Sequence, residues 1–271
     1  MSRSEFGVYV HIPFCASKCE YCAFATWTDR GHLVDAYLRA LRTEIERAIG
    51  DGLPTADTVF VGGGTPTLVR AGALAGVIDA IPVSPDAEIT VECNPDDVTV
   101  EMLRTYRSAG VNRVSLGVQS MSAHVLAALG RTHDRANVAR AVEAIAASAV
   151  PTFNLDLIYG AVGETIDDWR RTVEAALAFD PPHVSAYALT VEAGTPLAGQ
   201  PDRHPDDDDQ ADKYELVDDL LTGAGLVNYE VSNWSKPEHE SRHNLLYWNQ
   251  DDYRGFGCCA HSHSGGRRWW C

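Results

Sequence analysis

Apolar strand-like runs alternate with amphipathic helix-like segments through most of the chain. The strand candidates are almost continuously apolar, which is typical of parallel strands covered on both faces. Six β/α units in series predict an α/β fold with a parallel sheet, and periodicity alone favours a doubly wound open sheet. The predicted strands are Gly7–Ile12, Thr58–Val61, Glu88–Glu92, Arg113–Val118, Thr152–Ile158 and His183–Leu189. The predicted helices are Leu33–Ile49, Ala71–Ile81, Val100–Ala109, Ala123–Leu129, Ala136–Ser148 and Thr165–Phe179.

The character of the sequence changes after Leu189. Four consecutive aspartates, Asp206–Asp209, follow a proline-containing stretch. Runs of like charge are usually solvated, so we predict a surface loop leading into a helix over Gln210–Leu221, with the aspartates favouring its N-terminus. A metal site is the alternative interpretation of the aspartates. The final part, Asn228–Cys271, is rich in aromatic residues, histidine and glycine, and its periodicity is weak.

Composition narrows the classes of partner. The 271 residues carry a formal net charge of −16, which argues against a general nucleic-acid-binding surface, because such surfaces are basic. We expect no membrane span, because no run of about 18 apolar residues is present. The stretch Met1–Glu5 lacks the apolar region of a signal peptide, so a cytoplasmic location is expected.

Three cysteines stand close together directly after the first predicted strand. Cys15, Cys19 and Cys22 have the spacing Cys-x3-Cys-x2-Cys. A [4Fe–4S] cluster normally takes four thiolates, so three leave one iron open to another ligand. Structural zinc is the first alternative, but it usually takes four ligands, and the next cysteine is Cys93. A disulfide framework is the second, and it requires an oxidising compartment.

Polar residues lie near the C-terminal ends of the predicted strands. A glycine-rich turn, Gly62–Thr65, follows the second strand, and its bare backbone permits close approach of a ligand. Glu92 and Gln119 end the third and fourth strands, Asp156 lies in the fifth, and Arg131 follows the fourth. Each alone is compatible with a satisfied polar group in the core. Together they predict a polar ligand pocket at one edge of the sheet.

The cysteine spacing resembles the signature of the radical S-adenosylmethionine (SAM) superfamily. Four segments, in order, are similar to the oxygen-independent coproporphyrinogen III dehydrogenase group of that superfamily: Tyr9–Cys15, Gly62–Thr67, Gly110–Ser120 and Asp156–Gly160. The resemblance implies a partial (β/α)6 barrel of the TIM type, with a radical SAM core over residues 1–195. It further implies a partial C-terminal extension over residues 196–271.

The resemblance also implies cofactors and their ligands. Cys15, Cys19 and Cys22 are expected to bind a [4Fe–4S] cluster, and an electron donor such as a flavodoxin or ferredoxin is expected to reduce it. Arg131 suits the carboxylate of SAM, while Glu92 and Asp156 suit either its ribose hydroxyls or its ammonium group. The expected SAM contacts are Tyr9, Gly63, Gly64, Thr65, Glu92, Gln119, Arg131 and Asp156.

Two features distinguish the branches of this group. The dehydrogenases resemble a pattern with one more cysteine two positions after the third, where this chain has Phe24, and they carry a longer N-terminal extension. The segment His243–Trp248 resembles the His-Asn-x-x-Tyr-Trp motif of HemW-type heme chaperones. This resemblance implies a heme chaperone that delivers heme to recipient proteins. One alternative is oxidative decarboxylation of coproporphyrinogen III, which Phe24 and the short N-terminal stretch disfavour. The other is radical SAM chemistry on an unrelated substrate. Whether SAM is cleaved stays open.

Two local features of the C-terminal part have competing interpretations. Imidazole is a common axial ligand of heme iron, so His243 is a candidate heme ligand, although a histidine among aromatic residues is also typical of a hydrogen-bonded structural group. For the neighbouring cysteines Cys258 and Cys259, one interpretation is a thiol pair that contacts heme or a metal ion. The other is an error in the sequence, because two adjacent cysteines do not have the spacing usual for metal ligands. Relatives of this group continue past the Trp269–Cys271 stretch, so we expect the extension to be incomplete.

Overall fold

The structure is a computed structural model that describes residues 5–270; Met1–Ser4 and Cys271 lie outside the described part. Within that part there are eleven strands and eight α-helices. The strands are β1 (Gly7–Ile12), β2 (Ala56–Gly63), β3 (Val83–Cys93), β4 (Arg113–Gln119), β5 (Thr152–Tyr159), β6 (His183–Ala188), β7 (Val227–Glu230), β8 (Asn233–Ser235), β9 (Tyr253–Phe256), β10 (His261–Ser264) and β11 (Arg267–Trp270). The helices are α1 (Val34–Gly50), α2 (Ala71–Ile78), α3 (Val100–Ser108), α4 (Ala123–Ala128), α5 (Arg135–Ser148), α6 (Ile166–Leu177), α7 (Asp207–Gly223) and α8 (Arg242–Trp248).

All eleven strands form one sheet in the order β11-β10-β9-β1-β2-β3-β4-β5-β6-β8-β7. Strands β1 to β6 pair in parallel, each with the next along the chain. The predicted α/β fold with six serial parallel strands is therefore confirmed. The doubly wound alternative is wrong, because such a sheet reverses its strand order near the middle and this one does not.

The core lies between the strands and the helices that cover them. Val8, Val10 and Ile12 of β1 are fully buried, as are Val59 and Val61 of β2. Apolar, β-branched side chains suit strands that are covered on both faces, and this explains why the bounds of β1 match the prediction. The other core elements differ from the predicted bounds mainly at their ends, where β3 begins five residues earlier at Val83.

Helix α7 begins earlier than predicted. Asp206 is its N-cap, and the Asp206 side chain accepts a hydrogen bond from Asp209 N (2.9 Å). Asp207–Asp209 form the first helical turn instead of the predicted loop. The reason is that carboxylates at this end satisfy exposed N–H groups and interact favourably with the helix dipole.

The C-terminal segments extend the sheet at both edges. Strand β8 pairs antiparallel with β6 and with β7, which forms one edge of the sheet. Strand β9 pairs in parallel with β1 and leads into β10 and β11. Helix α8 packs against β2. A division at residues 195 and 196 stays a prediction. Among the described residues, no helix combines the length and apolarity that crossing a membrane requires.

Candidate functional site

Three cysteine side chains lie on the loop that follows β1. Cys15, Cys19 and Cys22 are half-buried thiols outside any disulfide. Backbone hydrogen bonds fix the loop, since Cys15 N donates to Trp27 O (3.2 Å) and Cys22 N donates to Cys19 O (3.1 Å). Burial raises the pKa of the Cys15 and Cys22 thiols. A bound cation is therefore needed to hold them as thiolates near neutral pH.

Groups from two other loops approach the sulfur atoms. Thr65 Oγ1 donates to Cys15 Sγ at 3.7 Å, and Arg131 Nη1 lies 3.9 Å from Cys19 Sγ. Gly64 leaves room for this approach, because a Cβ there would lie 3.0 Å from Cys15 Sγ and 2.6 Å from a backbone oxygen. A hydroxyl donor and a guanidinium both favour the thiolate form.

The side chain of Arg131 is fixed by two oxygens. Its Nη2 donates to Asn94 Oδ1 (2.8 Å) and to Gly117 O (3.1 Å). Gln119 lies alongside in a left-handed conformation (φ 63°), and a Cβ at Gly117 would lie 3.0 Å from Gln119 Nε2. The ends of β3 and β4 and the segment after α4 thus bring two amides and a guanidinium together beside the cysteine loop.

Glu92 packs against the glycine-rich turn after β2. Gly63 N donates to Glu92 Oε2 (3.1 Å), and a Cβ at Gly62 would lie 2.7 Å from the same oxygen. Gly63 has φ 112°, and a Cβ there would lie 2.4 Å from the ring of His11. Close packing of a carboxylate and an imidazole therefore requires glycine at both positions.

An inner cavity of about 150 Å³ opens between Glu92 and Asp156. Asp156 Oδ2 accepts from Ser115 Oγ (2.7 Å), and Asp156 Oδ1 accepts from Asn154 Nδ2 (2.7 Å). Burial, followed by the charge of Asp156, raises the pKa of Glu92 to about 7, and burial also raises that of Asp156. The two carboxyls are thus suited to hydroxyl or ammonium partners, which lower the cost of their burial.

Comparison with known proteins identifies the family. The sequence model of the radical SAM superfamily matches residues 9–176, a span that contains the three cysteines and Asp156. The heme chaperone HemW of Mycobacterium tuberculosis (strain H37Rv) is 46% identical over an alignment of 282 residues. This alignment covers 100% of this chain and 72% of that protein. The chain belongs to the radical SAM superfamily, in its HemW branch.

Further relatives agree with this assignment. The heme chaperone HemW of Escherichia coli (strain K12) is 38% identical over 94% of this chain and 69% of its own length. The solved structure of coproporphyrinogen III oxidase (HemN), a radical SAM enzyme of Escherichia coli, superposes with a TM-score of 0.84 at 24% identity. The match covers 97% of this chain and 65% of that one, and at this identity it supports the fold alone. The predicted family, branch and fold class are confirmed.

The cysteine loop of this HemW-type chain fits a [4Fe–4S] cluster. In the described part of the chain, no group of three or more His, Cys, Asp or Glu side chains converges to hold a single metal ion. A cubane cluster requires no such convergence, because each thiolate binds a different iron. Three thiols beside a guanidinium and a hydroxyl, with no fourth protein sulfur on the loop, suit a cluster with one iron open to SAM.

His243 of the HemW-type motif is a buried, fully hydrogen-bonded residue. It is 1% exposed, its Nδ1 lies 2.7 Å from Thr58 Oγ1, and its Nε2 lies 2.8 Å from Tyr247 Oη. Its backbone N–H donates to Glu88 Oε1 (3.0 Å). Burial lowers the pKa of His243 to about 3, so the ring is neutral. Iron ligation by Nε2, which stays a prediction, requires the hydroxyl of Tyr247 to leave first.

Exposed aromatic side chains surround a second hollow beside α8. This hollow, of about 330 Å³, shares Tyr187, Asn233 and Tyr247 with the inner cavity. Tyr187 is 42% exposed, Tyr247 40% and Trp248 54%. Large exposed aromatic groups around a hollow mark a binding surface for a flat apolar ligand or a partner.

Three site residues were missed by the sequence-based prediction. His11 joins Tyr9 Oη to Ala25 O through its two ring nitrogens, each at 2.9 Å, and so ties β1 to the cysteine loop. Its position two residues after Tyr9 in the same strand was the available signal, because such residues share one face. Asn94, which fixes Arg131, and Ser115, which donates to Asp156, follow or interrupt apolar strands.

Proposed function

We propose that the protein is a heme chaperone that binds a [4Fe–4S] cluster, SAM and heme and passes heme to recipient proteins. The observation that carries the proposal is the similarity to HemW heme chaperones, which extends over the whole chain, including the aromatic helix α8. No feature of the site favours decarboxylation of coproporphyrinogen III, and the likeness to the solved coproporphyrinogen III oxidase, at 24% identity, supports the fold alone.

Cys15, Cys19 and Cys22 are proposed as the cluster ligands. The bound cluster would supply a single electron to the sulfonium of SAM in any cleavage of that cofactor. Arg131 Nη1 lies 3.9 Å from Cys19 Sγ, and this supports the proposal that its guanidinium would pair with the carboxylate of SAM bound beside the cluster. An electron donor of the flavodoxin or ferredoxin class and a cytoplasmic location belong to the same proposal, because thiolate ligands require a reducing compartment.

The two carboxyls of the inner cavity are proposed to bind the remaining polar groups of SAM. Glu92, with a pKa of about 7, becomes a full carboxylate when an ammonium group approaches it. Asp156 keeps lone pairs beyond its bonds to Ser115 and Asn154, and these accept from ribose hydroxyls. The other proposed SAM contacts are the residues Tyr9, Gly63, Gly64, Thr65 and Gln119.

Heme is proposed to contact the exposed aromatic face beside α8. Trp248 and Tyr187 present flat apolar surface at the hollow of about 330 Å³, and porphyrin is a flat apolar ring that packs on such groups. His243 lies on the same helix but faces the core. Binding therefore begins at the surface aromatics, and ligation by His243 would be a later step that opens the bond to Tyr247.

Anaerobic titration of the cluster-loaded protein with hemin tests the proposal. We expect stoichiometric binding in the parent and about tenfold weaker binding in Trp248→Ala, since one aromatic contact contributes about 1–1.5 kcal/mol. The matched control is Trp270→Ala, which removes an exposed tryptophan (67%) on β11. Equal affinities for both variants would contradict the proposed surface, and vinyl products from coproporphyrinogen III would contradict the chaperone function.

A further inference from the structure

The turn between β9 and β10 carries two neighbouring cysteines at the protein surface. Cys258 and Cys259 are both exposed, and their sulfur atoms lie 3.7 Å apart. Because β9 runs parallel to β1, with Phe256 opposite Val10, the turn lies at the same edge of the sheet as the cysteine loop. The residues assigned to the cluster and to SAM leave this pair unused.

The backbone of the turn is fixed by its neighbours. Cys258 N donates to Tyr37 Oη (3.1 Å), and Gly257 N donates to Glu44 Oε2 (3.1 Å). Tyr37 Oη in turn donates to His11 O (2.7 Å) on β1. Cys259 has φ 60°, in the left-handed region that residues with side chains rarely adopt. Such a conformation persists only where the surroundings impose it, so the fold holds in place the backbone that carries the two thiols.

A direct bond between the two sulfurs is geometrically disfavoured. Consecutive Cα atoms are about 3.8 Å apart, whereas disulfides usually join Cα atoms separated by about 4.4–6.8 Å. The observed sulfur separation of 3.7 Å is also far longer than an S–S bond of about 2.05 Å. The pair is therefore suited to receive an atom between the sulfurs.

The separation matches the spacing of two thiolates on one tetrahedral metal ion. Sulfur atoms bound at about 2.3 Å to a tetrahedral ion lie about 3.8 Å apart. We propose that Cys258 and Cys259 form a binding site for a soft, thiophilic metal ion, zinc or copper(I). Thiolates select these ions over harder ones. Two protein ligands leave coordination positions open, so the ion exchanges with solution and is not a structural one.

Metal titration of the cluster-loaded protein tests the site independently of heme or SAM binding. The variants are Cys258→Ser and Cys259→Ser, and the matched control is the buried Cys93→Ser. All proteins, including the parent, also carry Cys271→Ser, so that the terminal thiol contributes no metal ligand. Zinc alone and copper(I) alone are titrated anaerobically against a chromophoric competitor, and the result shows which of the two ions the site binds.

We expect one equivalent of zinc or copper(I) in the parent and in Cys93→Ser, with at least tenfold weaker binding in each of the other two variants. Loss in both single variants is required, because each contributes one of two thiolates. Absence of binding beyond the cluster iron, or binding that survives either single substitution, would overturn the proposal.

Discussion

Acidification is predicted to remove part of the stability that His243 provides. The ring is buried with a pKa of about 3, against 6.5 for an ordinary histidine. At pH 5 the unfolded chain therefore binds a proton at this residue and the folded protein does not. Because the folded-state pKa is lowered, stability is complete above about pH 6.5 and is lost as the pH falls toward 3. The 1.5 pH units between 6.5 and 5 correspond to about 2 kcal/mol.

Urea denaturation at pH 7 and pH 5 measures this effect. We compare the parent with His243→Gln, and use the exposed His32→Gln as the control for loss of a surface histidine. The difference in unfolding free energy between the parent and His243→Gln should shrink by about 2 kcal/mol between the two pH values. Taking this difference cancels the contributions of the other buried histidines.

A constant difference across this pH range would refute the reasoning. It would mean that the imidazole of His243 is accessible to protons in the folded protein, contrary to its bonds with Thr58 and Tyr247. An accessible ring is also what direct heme ligation requires. The same measurement therefore distinguishes a structural histidine from one that is ready to bind iron.

Three further predictions concern the cofactor site and the core. Gly64→Ala should destabilise the protein by about 1–3 kcal/mol and reduce cluster loading, because the added Cβ would meet backbone oxygens. The control Gly72→Ala, where a Cβ meets open space, should change stability by at most about 1 kcal/mol. Equal denaturation curves for the two variants would refute the prediction. Cys19→Ala should abolish the cluster absorbance of the reconstituted protein, and a surviving band would remove this loop as the ligand set. Lys213→Met should cost about 3–5 kcal/mol in urea denaturation, because two carboxylates lose a buried cation. Lys236→Met, which removes a half-buried lysine from an exposed aspartate, should cost under about 1 kcal/mol, and similar losses for both would contradict this.

Local sequence patterns were sufficient for the central strands and for the positions of the cysteines. The run Gly7–Ile12 forms β1 with the predicted bounds, since the β-branched residues Val8, Val10 and Ile12 favour a strand through their own backbone and side-chain preferences. The glycines of the turn after β2 were also recognisable, although the groups that require them were not. Their partners, Glu92 and His11, come from other parts of the chain.

The errors lie where a local rule was applied with too little context. The pattern of Asp206–Asp209 predicted a solvated loop, yet Asp209 lies 2.5 Å from the buried Lys213 Nζ and belongs to the first turn of α7. Periodicity gave no guidance for Asn228–Cys271, because the short strands there depend on pairing with β6 and β1. Such edge strands acquire their conformation from distant partners rather than from their own side chains.

The sequence by itself determined the serial β/α architecture, the cysteine triplet and the family, because these depend on spacing along the chain. Only the tertiary structure decided which polar groups share a cavity and that both ring nitrogens of His243 are hydrogen-bonded. Thr58 and His243 are 185 residues apart in sequence, but their side chains are 2.7 Å apart in space. The raised pKa of Glu92 depends on its burial and then on the charge of Asp156, two strands away. Burial and charge proximity arise from long-range contacts, and these exist only once the sheet has formed.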